Sequence, residues 1–242
     1  AVASPVLQTG EQERLVNRGI VRMGPARHPG TMREPPKPGD VLDENADVKI
    51  RRERLTWDAR FGINTGWADH LRTVLAVQDA SSHRLGNSLL RSGVQRVRDN
   101  RYDEQTWQLG LQADKVLRGG DWAHRIVYGL DHVHSKISNL YHGKAPLAPE
   151  TFPLKRFPDT RQTSSGLYLQ DESVRGDWTI TPGLRIDHFS IDVTSQNLYY
   201  PPAPQPGRSM SGTAALPKLG VLYRATPEWS VFGQYATGYR AP

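Results

Sequence analysis

The chain has no cysteine among its 242 residues, so neither a disulfide framework nor a thiolate metal centre can be built from it. It also has no long hydrophobic run. Hydrophobic residues make up 37%, mean hydropathy is −0.60, and nothing approaches the roughly 20 consecutive apolar residues of a membrane-crossing helix. That excludes a helical membrane protein but leaves a β-barrel open, because only alternate residues of a barrel strand face lipid. There is no Gly-x-Ser-x-Gly elbow, no glycine-rich phosphate loop and no His-Glu-x-x-His, so an enzyme is not expected and no catalytic residue, metal site or intrinsic cofactor is assigned. The opening Ala1-Val2-Ala3-Ser4-Pro5 has no initiator Met, basic n-region or apolar h-region, and Pro242 follows a strand-like segment directly. Both ends are therefore expected to be cuts inside a longer chain. The net charge of +6 is concentrated in arginines of predicted loops, such as Arg14, Arg18, Arg22, Arg27 and Arg33, or Arg96, Arg98 and Arg101. With no recognition-helix pattern beside them, no nucleic-acid partner is expected.

What is present is a repeat. Trp67, Trp122, Trp178 and Trp229 are separated by 55, 56 and 51 residues, and each follows a tight polar turn, as in Asn64-Thr65-Gly66-Trp67 and Arg175-Gly176-Asp177-Trp178. A tryptophan at the same height beside every short turn predicts an aromatic girdle at a membrane interface, where indole suits the acyl boundary and keeps one N–H for water. The alternative is a soluble β-domain acting as a binding module, with the same tryptophans in its core.

Between the turns the pattern has period two. Leu55, Trp57, Ala59, Phe61 and Ile63 alternate with Thr56, Asp58, Arg60, Gly62 and Asn64, which predicts a strand with one apolar face. The same holds for Leu71, Thr73, Leu75 and Val77, for Trp107, Leu109, Leu111 and Ala113, and for Ile126, Tyr128 and Leu130. A third hairpin is predicted over 164–174 and 178–193, and a last one over 214–225 and 229–239. The opposite faces hold Asp58, Arg60, Gln108, Gln112, Asp114, Arg125, Asp131, Arg185 and Asp187. So many ionisable groups suit a hydrated lumen, since a dry core would cost several kcal/mol for each imperfectly paired charge.

Residues 1–50 read as an extracellular loop and strand remnant, and 51–242 as barrel wall of about eight strands. The segments 79–103, 139–162 and 194–212 read as long polar connections, against turns of about two to five residues at the other end. Loops sorted by length in this way are expected of an all-β, antiparallel transmembrane barrel of the bacterial outer membrane.

Five segments then carry a resemblance. Phe157-Pro158-Asp159-Thr160-Arg161-Gln162-Thr163, Gly166-Leu167-Tyr168-Leu169-Gln170-Asp171-Glu172, Thr181-Pro182-Gly183-Leu184-Arg185-Ile186-Asp187-His188, Leu216-Pro217-Lys218-Leu219-Gly220 and Tyr235-Ala236-Thr237-Gly238-Tyr239-Arg240-Ala241-Pro242 together resemble a TonB-dependent outer-membrane receptor. The terminal Tyr239-Arg240-Ala241-Pro242 is similar to the Phe-Arg-Ala-Pro box of the branch that takes haem or haemoglobin, with Tyr in place of Phe. The resemblance implies a 22-stranded barrel closed by an N-terminal plug, of which this chain is a part without the plug. It implies active import of haem, or of iron from a haem-carrying protein, with a TonB complex engaged through a region outside this chain. A siderophore receptor is the alternative within transport.

Haem iron takes His or Tyr ligands and its propionates need cations, so Tyr141, His142 and Lys144 are the candidate haem-capture loop. An exposed loop histidine without function remains the other reading. His132 and His134 share a face near the outer end of a strand, a feasible geometry for metal or haem that lacks a third ligand. His188 is expected near the outer rim, and His70 and His124 beside short turns. Tyr199 and Tyr200 are candidates for ligand contact on a proline-rich loop, or for packing that loop together. Arg240 either contacts the ligand or only shapes a strand end.

Overall fold

The computed structural model describes residues 2–9 and 14–17 as backbone strands, and residues 40–200 and 206–239 in full. The described chain is one antiparallel sheet: β1 Val2–Thr9, β2 Arg14–Asn17, β3 Val41–Gly62, β4 His70–Leu90, β5 Gln95–Gly119, β6 Trp122–Lys144, β7 Asp159–Arg175, β8 Trp178–Ser195, β9 Met210–Arg224 and β10 Ser230–Ala236. From β3 onward each strand pairs with the next, while β1 and β2 both lie along the free edge of β3. The eight expected strands are β3 to β10.

The sheet is a single layer. Buried apolar side chains among the described residues are Ala59, Ala68, Ala76, Ala113, Leu90 and Leu154, whereas Leu55, Leu75, Val77, Leu167, Leu169 and Phe232 are exposed. Among the described residues no second layer packs on the apolar face. A soluble β-domain would hold its tryptophans in a core, yet Trp67, Trp178 and Trp229 are exposed. A sheet of this kind finds its apolar surroundings in lipid.

Three expectations about loops are corrected. Within residues 1–50, two stretches form β1 and β2, and β3 begins at Val41. The segment 79–103 is not a connection: β4 and β5 run through it in unbroken register, with Asp79 opposite Gln105 and Leu89 opposite Gln95, and turn over at 91–94. In the segment 139–162, β6 continues to Lys144 and β7 starts at Asp159, leaving 145–158 as the connection. These extensions are polar on both faces, so they lack the alternation that marks a half-buried strand. They are held by the ladder and by cross-strand pairs such as His83–Asp99 at 2.8 Å. The difference between the two ends persists in milder form. Connections 63–69, 120–121, 176–177 and 225–229 lie at one end, and 91–94, 145–158 and 196–209 at the other.

Candidate functional site

The candidate site is the wall itself, and the register fixes which side chains share a face. Leu55, Val77, Trp107, His134 and Thr163 stand in one row across β3 to β7, and Ala59, Thr73, Leu111, Leu130, Leu167 and Ile186 in another. Because successive residues point to opposite sides, the odd-numbered positions of β3 from Leu55 to Phe61 and their partners form the apolar face. On β7 that face is bounded by Arg161 and Asp171, ten residues apart. At about 3.3 Å per residue and a tilt of about 40° this is a height of roughly 25 Å, the band of an outer-membrane barrel.

Trp122 and Trp178 project from this apolar face just beyond its lower edge, Trp122 beneath the Arg175 guanidinium at 5.6 Å and Trp178 against Tyr223 at 4.5 Å. Trp67 lines an apolar groove on the same face with Tyr128, Leu130, Leu167 and Leu169, and its carbonyl accepts the Tyr128 hydroxyl at 2.8 Å. Trp229 sits exposed at the last turn. At the upper edge Trp107 packs against both His132 and His134, with ring centres 4.7 and 5.5 Å away. His132 Nδ1 is 2.8 Å from Ser165 Oγ and His134 Nδ1 3.1 Å from Thr163 Oγ1. These two histidines stand on the same face as Tyr128 and Leu130, away from the lumen. Their parity with Leu130 was visible in the sequence. Among the described residues no group of three metal-ligating side chains occurs.

The opposite face carries all nine residues expected to line a lumen. The Arg72 Nε donates to Asp58 Oδ1 at 3.0 Å. Arg185 donates to Asp131 at 2.8 Å and to Asp187 at 2.7 Å, and its guanidinium lies 5.7 Å from the Tyr168 ring centre. Glycines make this network possible. A Cβ at Gly129 would strike the Leu111 carbonyl and the Tyr168 ring, and one at Gly166 would strike the Arg185 guanidinium. Tyr168 and Arg185 therefore lie flat against the wall, and the Tyr168 hydroxyl reaches Gln112 Oε1 at 3.2 Å.

The remaining candidates are dispersed. Tyr141 and His142 are neighbours within β6, so they project to opposite faces and do not converge on one ligand. Tyr141 is tied through its backbone to Leu154 and lies under Arg156 at 5.6 Å, while His142 and Lys144 are exposed. The Tyr200 N–H donates to the Lys155 carbonyl at 2.9 Å, and Tyr199 bridges Lys155. That pair thus joins the 196–209 connection to the 145–158 connection. Tyr239 stacks on Phe189 at 6.0 Å, on the ionic face. Arg240, Ala241 and Pro242 lie outside the described residues.

Above the band Asp99 and Tyr102 are perturbed in opposite directions. Burial pushes the Asp99 carboxyl up, but hydrogen bonds from Arg101 and His83 outweigh it and hold it below its ordinary range. Burial, helped by a hydrogen bond to Glu104, pushes the Tyr102 phenol up to about 12, with its ring edge-on to Phe157 at 6.3 Å.

Comparison with known proteins agrees with this architecture. The family profile described as TonB dependent receptor-like, β-barrel, matches residues 14–242. Among solved structures, the chain is similar to the unliganded ferric citrate transporter FecA (18% identity, TM-score 0.51, 79% of this chain and 27% of that one). It is similar to the FrpB iron transporter of Neisseria meningitidis (18%, 0.56, 82% and 30%). It is also similar to the haemophore receptor HasR of Serratia marcescens, solved with the haemophore HasA and haem (14%, 0.58, 82% and 31%). At these identities the likeness is one of fold, and the chain spans under a third of each of these proteins.

Proposed function

The chain belongs to the TonB-dependent receptor-like β-barrel family of bacterial outer-membrane proteins, and from that premise we propose that it is a wall segment of a receptor that imports an iron complex. The observation that carries the reading is the division of one sheet into an apolar face roughly 25 Å tall and an opposite face of paired ionic groups. Such a wall separates lipid from an aqueous passage. It makes and breaks no bond in the cargo; its work is to hold the passage open and to stabilise charged side chains beside it.

The cargo we favour is haem, or haem delivered by a carrier protein, on the ground of the Tyr239-Arg240-Ala241-Pro242 box. Energy would come from a TonB complex that engages a region outside this chain. The test is growth of an iron-starved bacterial host, stripped of its own receptors, that expresses the full-length receptor. Growth on haem or haemoglobin, but not on ferric siderophores, is the expected result. Growth on a ferric siderophore alone would replace haem with the siderophore reading. Growth on neither would remove the import function.

A further inference from the structure

On the lipid side of the wall, directly above the row that begins at Leu55, the register draws one further row across six strands: Glu53, Asp79, Gln105, Lys136, Arg161 and Asp192. Its charges are sorted, with the cations side by side on β6 and β7 and the acids on β3, β4 and β8. Lys136 and Arg161 are direct cross-strand partners, which sets their Cβ atoms roughly 5 Å apart, and like charges in that position repel and weaken the ladder. Both side chains are exposed, and among the described residues neither lies within 4.0 Å of a carboxylate. The acids of the row have other contacts. Glu53 pairs with Arg51 at 2.5 Å, Asp79 accepts the Gln105 amide at 3.3 Å, and Asp192 accepts the Ser190 hydroxyl at 3.3 Å. Higher on the same face Arg101 is paired with Asp99, so the two unneutralised cations stand apart from their surroundings.

The row also rims a groove. A cavity of about 730 Å³ opens on this face, lined by Leu55, Val77 and Trp107 within the band and by Asp79, Gln105 and Lys136 above it. A second cavity of about 510 Å³ shares those last three residues and extends to Arg161, with Asp103 and Asp159 also in its lining. Asp159 is neutralised by Lys155 at 2.6 Å. The two cavities together are apolar at the height of acyl chains, cationic on one side at the height of lipid headgroups, and rich in acceptors on the other.

We propose that this groove is a binding site for a phosphorylated glycolipid of the surrounding leaflet. Its acyl chains lie on the Leu55, Val77 and Trp107 row, a phosphate sits between Lys136 Nζ and the Arg161 guanidinium, and sugar hydroxyls donate to Asp79 and Asp103. The phosphate cancels the repulsion between the two cations, and charge-assisted hydrogen bonds of this kind are about twice as strong as neutral ones. A simple glycerophospholipid such as phosphatidic acid supplies the phosphate but no hydroxyls for the carboxylates beside it. The site rests on the family membership that puts this face in lipid and is independent of the import reading.

The test uses the full-length receptor, stripped of lipid in non-ionic detergent, and native mass spectrometry of its complex with a bis-phosphorylated, acylated glucosamine disaccharide. The dephosphorylated form of that lipid and dioleoyl phosphatidic acid are the comparison probes. The bis-phosphorylated lipid should bind about tenfold tighter than either, and K136Q/R161Q should lose about tenfold in affinity for it. The exchanged variant K136R/R161K should keep the binding, because both charges remain. Arg175→Gln, at the opposite end of the wall, should leave it unchanged, and heat-modifiable gel mobility confirms that each variant is folded. Wild-type affinity in the Gln double variant, or equal binding of the dephosphorylated lipid by the unaltered receptor, would overturn the site. Phosphatidic acid bound as tightly as the glycolipid would overturn the glycolipid assignment. A receptor that holds the lipid yet supports growth on no iron source would keep the site and remove the import reading.

Discussion

Arginines stand on the inner face at two heights, and their surroundings differ. Within the band, Arg72 is held by Asp58, and Arg185 by Asp131 and Asp187. Above it, Arg52, Arg84 and Arg98 have no carboxylate partner among the described residues. A charge beside a thin wall surrounded by lipid is stabilised when its field is cancelled locally. A charge on a wall that has water on both sides needs no partner and remains available to an incoming anion. Pairing is not complete within the band, since Arg60, in the same row as Arg72, also has no carboxylate within 4.0 Å among the described residues, so height in the wall does not by itself decide which arginines are paired.

The apolar face gives the sharpest way to break this comparison. Leu167, near mid-height and exposed, should cost roughly 2–4 kcal/mol as Leu167→Arg in refolding into lipid vesicles. Phe61→Arg, one row nearer the lower edge, should cost less. Ser81→Arg, on the same face but above the band, should be nearly neutral. Equal costs at Leu167 and Ser81 would mean that the band is misplaced. Glycines come next. Gly129→Ala should destabilise by about 1–3 kcal/mol, because the new methyl meets the Leu111 backbone and the Tyr168 ring. Gly86→Ala above the band meets nothing nearer than 3.9 Å and should change the denaturation midpoint little.

Smaller effects probe the ion pairs. Arg185→Gln leaves Asp131 and Asp187 without their common cation and should lower the thermal midpoint measurably, whereas Arg84→Gln should not. The Asp99 clamp should respond to pH with a definite sign. Its folded value is depressed, so its contribution is present above the ordinary aspartate range near about 4 and is lost as pH falls through the folded value. Hydrogen exchange over 85–100, corrected for intrinsic rates, should rise in acid in the wild type, and Asp99→Asn should remove that rise. The effect is small, about 0.2–1 kcal/mol.

Much of the wall was readable in the sequence. The alternation from Leu55 to Ile63 and from Trp107 to Ala113 assigned both faces correctly, because one of them is apolar throughout. The strand extensions through His83, Arg98 and His142 could not be read that way, since both faces are polar and period two leaves no trace. Tyr141 and His142 were paired as one capture loop for the same reason. Once Tyr141 is seen to bond Leu154 and to lie in a strand, adjacency in sequence becomes opposition in space. That Arg52, Arg84 and Arg98 share the inner face could not be read locally, because they come from three strands and only the register brings them together.

The sequence by itself determined the single-layer barrel class, the lipid-facing rows and the hairpin order, because those depend on local alternation and on turn residues. The tertiary structure decided how far the strands reach beyond the membrane and which arginines keep carboxylate partners. Those properties depend on cross-strand pairing over tens of residues, which no local pattern encodes.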